Sequence, residues 1–319
     1  MAATLSSVAA FFVSSAAAIR ASISPRSIPA SSAIFKAGFA SGKDHCFSAL
    51  TRTPRTNRSW DLALSIYDDT PVACGTQVEW VHRHPGGKWS GIWQFFAEHG
   101  AALNGYDYYW LVDDDVEIDA PGLERLLAHV RHHRFELAQP ALTPDSYYSH
   151  RLTLACPGLR HRHTNLVEIM APLLSAALLG RILPLIRDTD SGFGLDWLWQ
   201  RMVPEPHRQI AIIDLTPVRH ARPLRQHLRN AMASKGATPE QERSSLSKAH
   251  GLRRLHGVAI AALTSDGQCI QSRMRLALYM ARGYWSIRQD ITRRPWTAAQ
   301  TVMLIYRQLF SPLGYHHPS

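Results

Sequence analysis

The 319-residue sequence has four cysteines, Cys46, Cys74, Cys156 and Cys269, far apart and with no C-x-x-C pair. This spacing argues against a cysteine zinc site and against a disulfide scaffold, leaving reduced, unpaired thiols. No run of 18 or more apolar residues occurs, so hydropathy marks no membrane span. Residues 1–43 hold no acidic residue and four basic ones. Their Ala and Ser content, with a short apolar stretch at residues 8–19, fits a transit peptide, a weak signal peptide or upstream sequence of no function, and all three stay open. No internal repeat is found. What is present, 45% apolar and 9% aromatic residues, excludes a disordered chain and fits a globular protein with one large core or two modest ones.

The net charge of +10 is unevenly spread. Residues 1–219 hold 20 Lys and Arg against 21 Asp and Glu, whereas residues 220–319 hold 15 against 4. Basic character therefore belongs to the C-terminal part, where Arg282, Arg288, Arg293 and Arg294 alternate with Tyr284, Trp285, Trp296 and Tyr306. Basic helices with aromatics suit an anionic bilayer surface, so peripheral membrane contact is one reading ahead of nucleic acid, and a solvated charged face with its aromatics in the core is the plainer one.

Ordered structure is expected from about Asp44, after the Ser- and Pro-rich start. Trp60, Leu62, Leu64 and Ile66 alternate with smaller or polar residues and lead into Asp68-Asp69, predicting a strand that ends in a polar loop. Residues 77–82 predict a second short strand. Trp89, Ile92, Trp93 and Phe96 predict a helix over 88–99 that starts near Ser90. Residues 106–112 form an apolar strand. Ala120-Pro121 then opens a helix with Leu123, Leu126, Leu127 and Val130 on one face, proline being tolerated in the first turn. Further strands are predicted at 137–139, 166–170 and 209–215, with helices at 173–186 and 195–202. The alternation predicts an α/β fold, a mostly parallel sheet flanked by helices, with ligands at the carboxyl ends of the strands. Beyond Arg222 the strands run out, and residues 224–313 predict basic helices broken by Gly236, Pro239, Gly267 and Pro295. The chain thus divides into a tail at 1–43, an α/β domain at 44–223 and a basic helical extension at 224–319.

The chemistry concentrates where the apolar strand at 106–112 stops in Asp113-Asp114-Asp115. Consecutive carboxylates repel one another unless a cation or a basic cluster neutralises them, and hard oxygen ligands suit Mn²⁺ or Mg²⁺ bridging phosphate oxygens. Asp113 and Asp115, two apart on extended backbone, point the same way. The bland alternative is a solvated acidic turn. Ser191-Gly192-Phe193-Gly194-Leu195-Asp196-Trp197 places Asp196 in the first turn of a helix, either to accept a proton from an acceptor hydroxyl or merely to complement the helix dipole. His220 follows the strand at 209–215, where an imidazole completes a metal shell or sits among 17 histidines as one more surface residue. Asp68 and Asp69 are placed to bind ribose hydroxyls, Lys88 and Asp114 to serve the phosphates or their ion, and turn formation or solvation is the plainer duty of each. Glu168, in an apolar run, needs a partner such as a substrate hydroxyl or an arginine.

In order, Trp60-Asp61-Leu62-Ala63-Leu64-Ser65-Ile66-Tyr67, residues 106–115, Val167-Glu168-Ile169-Met170-Ala171-Pro172, residues 192–197, and Ile212-Ile213-Asp214 with His220 resemble an uncharacterised domain family of plants and bacteria that is similar to the GT-A glycosyltransferases. The resemblance covers roughly residues 57–223. It implies a nucleotide-diphospho-sugar fold in which Asp113 and Asp115 match the D-x-D metal motif, Asp196 the catalytic base and His220 the late metal-ligand histidine. The implied reaction moves a sugar from a nucleotide-sugar donor to a glycan, lipid or small-molecule acceptor, with Mn²⁺ or Mg²⁺, in the cytoplasm or at a membrane surface. One departure is the first strand and its base-contacting loop, which shrink to about residues 46–50.

Two other readings compete. Asp113-Asp114-Asp115-Val116 also fits the nucleophile motif of a haloacid-dehalogenase-type phosphohydrolase, but that chemistry needs a downstream lysine and residues 119–220 contain none. A non-catalytic binding module would rest on the basic C-terminal helices alone.

Overall fold

The structure, a computed structural model, describes residues 32–39, 48–66, 78–223, 232–233, 236–293 and 295–314. Strands β1 (Ser32–Phe39), β2 (Trp60–Ile66) and β3 (Trp80–Arg83) precede helix α1 (Lys88–Leu103). Strands β4 (Tyr108–Asp113) and β5 (Val116–Glu117), helix α2 (Ala120–His133), and strands β6 (Leu137–Leu142), β7 (Leu159–Thr164) and β8 (Leu173–Ser175) follow. Helix α3 (Ala176–Ile182) and strand β9 (Ile210–His220) lead to helix α4 (Pro239–His250), strands β10 (Ala259–Thr264) and β11 (Cys269–Ile270), and helices α5 (Arg273–Ser286) and α6 (Ala298–Phe310).

The strands form an 11-stranded sheet in the order β11-β10-β7-β9-β6-β8-β4-β1-β2-β3, with β5 paired to β9 off this path. The α/β expectation holds, and the sheet is mixed. β4, β1, β2 and β3 run parallel, as do β6 and β9, while β8 lies antiparallel to both β4 and β6, and β7 antiparallel to β9 and β10. Helix α1 carries the chain from β3 across to β4, which lies beside β1, and α2 carries it from β5 to β6, while β8 enters between β6 and β4 antiparallel to both.

Four expectations are corrected. β1 falls inside the stretch set aside as a tail and pairs with β2 and β4 in the middle of the sheet, so the first strand is not shrunk to residues 46–50, where Ser48–Thr51 is a short helix. Residues 166–170 are irregular rather than a strand, although they run beside β4 through Asp113 N–H to the Met170 carbonyl at 3.0 Å. Residues 173–186 begin as strand β8 before turning helical. The extension is not wholly helical, because β10 and β11 continue the sheet beyond β7. Among the described residues no helix is long and apolar enough to cross a membrane.

Side chains of β4 alternate between two cores. Trp110 and Val112 join the core that receives Leu123, Leu126, Leu127 and Val130 of α2, whereas Tyr109 and Leu111 join the core built on Trp89, Ile92, Phe95 and Phe96 of α1. Burial on both faces makes β4 a continuous apolar run, and places its last residue at the rim of the packed interior. Helix α2 begins where Asp119 accepts a hydrogen bond from Gly122 N–H at 2.7 Å and ends with Arg134 in the left-handed region at φ 54°.

Besides the pairing of β10 with β7, one buried guanidinium fastens the C-terminal segment to the sheet. Arg162 of β7 donates all five of its N–H bonds: two to Asp214 of β9 at 2.9 and 2.8 Å, and one each to the Leu152 carbonyl (2.8 Å), the Leu154 carbonyl (2.8 Å) and the hydroxyl of Tyr284 of α5 (2.7 Å). Both ionic side chains are sealed from solvent. Removing one partner of a buried pair leaves an uncompensated charge. Arg162→Met is therefore expected to cost about 3–5 kcal/mol in urea unfolding, and Arg162→Met combined with Asp214→Leu to recover much of it; an additive double variant would contradict this account.

Candidate functional site

The site is created by the register of two short strands. After β4 the chain turns through Asp114 and Asp115 into β5, which pairs antiparallel with the end of β9, Val116 opposite His220 and Glu117 opposite Arg219. Ala221 N–H continues the ladder to the Asp115 carbonyl at 3.0 Å. Acidic residues of one strand are thereby laid against basic residues of the other. Arg219 bonds both Glu117 oxygens at 3.0 and 3.1 Å, His220 Nε2 lies 3.1 Å from Asp115 Oδ2, and Arg222 Nη2 donates to Asp114 Oδ2 at 2.7 Å.

Asp113 is neutralised from the other side of the sheet. Lys88, at the start of α1, donates to Asp113 Oδ1 at 2.6 Å and to the carbonyls of Ile169 and Met170 at 2.8 and 2.9 Å. Its three N–H bonds are thus all engaged, which corrects the expectation that Lys88 meets phosphate directly. The Lys88 side chain is 12% exposed and that of Asp113 35%, so the open face of this pair is the carboxylate. Burial lowers the Lys88 pKa against the pull of Asp113, and burial raises that of Asp113 against the pull of Lys88. Asp114 is pushed up to about 6 by burial and by the charge of Asp115, against Arg222.

Asp115 and His220 carry the most specific geometry. His220 Nδ1 lies 2.8 Å from the Tyr147 carbonyl, which can only accept, so Nδ1 holds a proton. A neutral ring would then turn the Nε2 lone pair toward the Asp115 carboxylate, and two acceptors at that distance require a cation between them. A proton fills this role in the isolated chain: burial opposes charge on the ring, yet the Asp115 hydrogen bond and negative charge raise the His220 pKa to about 9. Asp115 Oδ1 is buried with no hydrogen-bond partner. A buried carboxylate oxygen left without a donor is costly, and it is the kind of atom a divalent cation binds. Asp115 and His220 thus offer oxygen and nitrogen donors of the kind a divalent ion takes, although Asp113, Asp115 and His220 do not each bring a ligand atom within 4.8 Å of the others.

Glu168 is buried as expected. Its Oε1 accepts from His150 N–H at 3.1 Å and its own N–H donates to Gln139 Oε1 at 2.6 Å. The same irregular segment supplies the carbonyls that hold Lys88, and the 147–150 stretch that meets Glu168 also holds His220, so Glu168 is a neighbour of the site through backbone. Asp196 lies in the first turn of the short helix Leu195–Leu198. Burial lifts its carboxyl to about 6 against backbone N–H groups of the turn and the charge of Arg243.

The loop before Asp196 closes on the start of α1. Asp190 accepts from Gly87 N–H at 3.1 Å and from the Ser90 hydroxyl, while Glu242 of α4 accepts from Thr189, from the N–H groups of Asp190 and Ser191, and from the Ser191 hydroxyl. Gly192, at φ 70°, is required here, since a Cβ would lie 2.0 Å from Trp89 Nε1. Glu242 and Arg222 were not anticipated. The basic cluster at residues 219–222, facing three aspartates, was the available signal for Arg222, whereas nothing local marks Glu242. Asp68 and Asp69 lie outside the described residues.

No protein-family model matches the chain, and a search of curated proteins returns no match. Among solved structures the chain is similar to S. aureus TarS, at 13% identity and a TM-score of 0.42, over 63% of this chain and 38% of that one. TarS 1–349 matches at 12% identity and TM-score 0.42, over 63% of each chain. Its complex with UDP-GlcNAc matches at 11% identity and TM-score 0.41, over 87% of this chain and 71% of that one. The chain thus spans less than two thirds of the first two TarS structures. Likeness of this degree carries no inference about activity.

Double-mutant analysis tests the pairing across β4. Lys88→Met and Asp113→Asn are each expected to lower stability, with a coupling of roughly 1–2 kcal/mol, reduced from the fully buried case because the carboxylate is partly solvated. Unfolding of the wild type, both single variants and the double variant measures it; strict additivity would show that the two groups do not interact.

Proposed function

We propose that the chain is a metal-dependent glycosyltransferase-like enzyme of the GT-A type, acting on a nucleotide-sugar donor. The observation that carries this reading is Asp115, whose one carboxylate oxygen is buried without a partner while the other faces the Nε2 of a histidine with its Nδ1 already committed. The order of motifs along residues 57–223 supports it independently.

Asp113, Asp115 and His220 are the residues that would hold Mn²⁺ or Mg²⁺. An ion held there would supply positive charge against the diphosphate leaving group. Lys88 orients the Asp113 carboxylate and opposes the upward push of burial on its pKa, and Arg222 does the same for Asp114. Asp196, with a pKa lifted to about 6, is suited to take the proton from an acceptor hydroxyl near neutral pH. Glu168 anchors the segment that supports Lys88 and is placed to accept from a substrate hydroxyl.

Thermal unfolding of the full chain with Mn²⁺ and a panel of nucleoside diphosphates tests the reading. A ligand that binds only the native state raises the melting temperature, so a rise of about 3 °C or more is expected with metal and one nucleotide together, and none for Asp113→Asn/Asp115→Asn measured against its own baseline. An unshifted wild type across the panel, or an equal shift in the variant, defeats the proposal.

A second reading concerns location, and a separate observation favours it. Helix α5 exposes Met274, Leu278 and Trp285, and α6 exposes Val302, Met303, Tyr306 and Phe310. Neither helix contains an acidic residue, and Arg275, Arg282 and Arg307 stand exposed among the apolar side chains. Apolar side chains ringed by arginine suit an anionic bilayer surface. The full chain is expected to cosediment with phosphatidylglycerol-containing vesicles, to release with salt, and to lose most binding in Trp285→Ala/Phe310→Ala. Equal retention on neutral phosphatidylcholine, or retention by DNA alone, would rule this out.

A further inference from the structure

At the far end of α2 from the acidic run, five aromatic rings meet. His129 and His133, four apart on the helix, face His161 and His163, two apart on β7, with Phe135 packed against all four imidazoles. Side chains four apart on a helix and two apart on a strand project to one side, so this convergence is built by two regular elements. His129 Nε2 lies 2.9 Å from His161 Nδ1. One nitrogen from each of His129, His133 and His161 lies within 4.8 Å of the others. Among the described residues this is the set of His, Cys, Asp and Glu donors gathered in that way.

We infer that His129, His133 and His161 form a binding site for a borderline transition-metal ion of the Zn²⁺ class, a clip that fastens the C-terminal end of α2 to β7. Two ligand nitrogens at about 2.0–2.1 Å from one ion are separated by roughly 3 Å, which the His129–His161 pair already matches. His133, half-buried, brings a ring nitrogen within 4.8 Å of both. His163 adds a second sign beside this set: its ring lies 5.1 Å from that of His161, and its Nδ1 is buried without a hydrogen-bond partner.

The donor set fixes the metal class. Imidazole alone suits Zn²⁺, Co²⁺, Ni²⁺ and Cu²⁺, whereas Mg²⁺ and Mn²⁺ prefer oxygen. Burial and mutual repulsion lower the pKa of all four histidines, which favours the neutral rings that a metal requires. Arg160 and Arg208 oppose a cation here, and Arg160 is drawn away by two hydrogen bonds to the Ser265 carbonyl. The carbonyl end of α2 partly offsets them. Along α2, at 1.5 Å per residue, roughly 15–20 Å of helix separates these histidines from the acidic run, so the two sites are distinct.

Metal titration of the chelator-stripped full chain tests this, using Co²⁺ absorption and calorimetry with Zn²⁺. One ion per chain with a melting temperature raised by Zn²⁺ and not by Mg²⁺ is expected. His133→Gln, at a partly exposed position that tolerates the change, should weaken Zn²⁺ at least about tenfold, while His132→Gln on the exposed side and Asp115→Asn at the other site should not. Circular dichroism confirms that each variant is folded. Failure of the wild type to bind Zn²⁺ more tightly than His133→Gln, or an equal loss in His132→Gln, overturns the assignment and marks scattered surface histidines as the binders.

Discussion

The pairing of β5 with the end of β9 is the constraint on which the site depends. Three consecutive aspartates at the end of a buried strand would repel one another and weaken the rim of the core. The antiparallel register answers this by placing His220 opposite Val116 and Arg219 opposite Glu117, which brings His220 to Asp115 and Arg222 to Asp114. A slip of one residue would turn each of these side chains to the wrong face. The register is held from outside as well: His220 N–H donates to the Ser146 hydroxyl and Tyr147 N–H to the His220 carbonyl. Charge complementarity and backbone pairing thus specify the same arrangement.

Asp113 stands apart because its partner arrives from another element. Lys88 reaches it from the start of α1 and is held by two carbonyls of the irregular segment before β8. That irregularity has a use. A regular strand at 166–170 would direct its carbonyls sideways into a ladder, whereas here the Ile169 and Met170 carbonyls both turn to one ammonium. Glu242, holding the loop before Asp196 against Gly87 and Ser90, fixes the start of the same helix from the opposite direction. Lys88, Asp113 and the 189–194 loop are therefore joined by hydrogen bonds at the start of one helix.

How much of this was legible in the sequence follows from the range of the interactions. β2, β4 and α2 show their period locally, through Leu62, Leu64 and Ile66, through the apolar run into Asp113, and through Leu123, Leu126, Leu127 and Val130. The acidic run stood out, and the histidine facing it was found because it closes a strand. β1 was hidden in an Ala- and Ser-rich context and becomes a strand through pairing on both edges, a non-local effect that propensity does not report. β8 has three residues and was absorbed into the helix that follows. β10, Ala-Ile-Ala-Ala-Leu-Thr, shows no period-2 alternation and is set by its pairing with β7 far away in the sequence, and β11 has two residues paired only to β10. The pairings of Arg222 and Glu242 span 108 and about 50 residues respectively, and no local pattern encodes them.

Helix α2 connects two clusters of opposite chemistry. Its N-terminus follows directly on the carboxylates, whose oxygens favour a hard divalent ion, and its last turn presents imidazoles, which favour a softer one. The dipole of the helix acts unfavourably on a cation at the first end and favourably at the second. The acidic run offsets this with the formal charge of its aspartates; the histidine cluster has no such charge and draws on the helix end and on neutral ligands instead. The ions proposed for the two ends of this helix therefore differ in class, hard beside the carboxylates and borderline among the imidazoles.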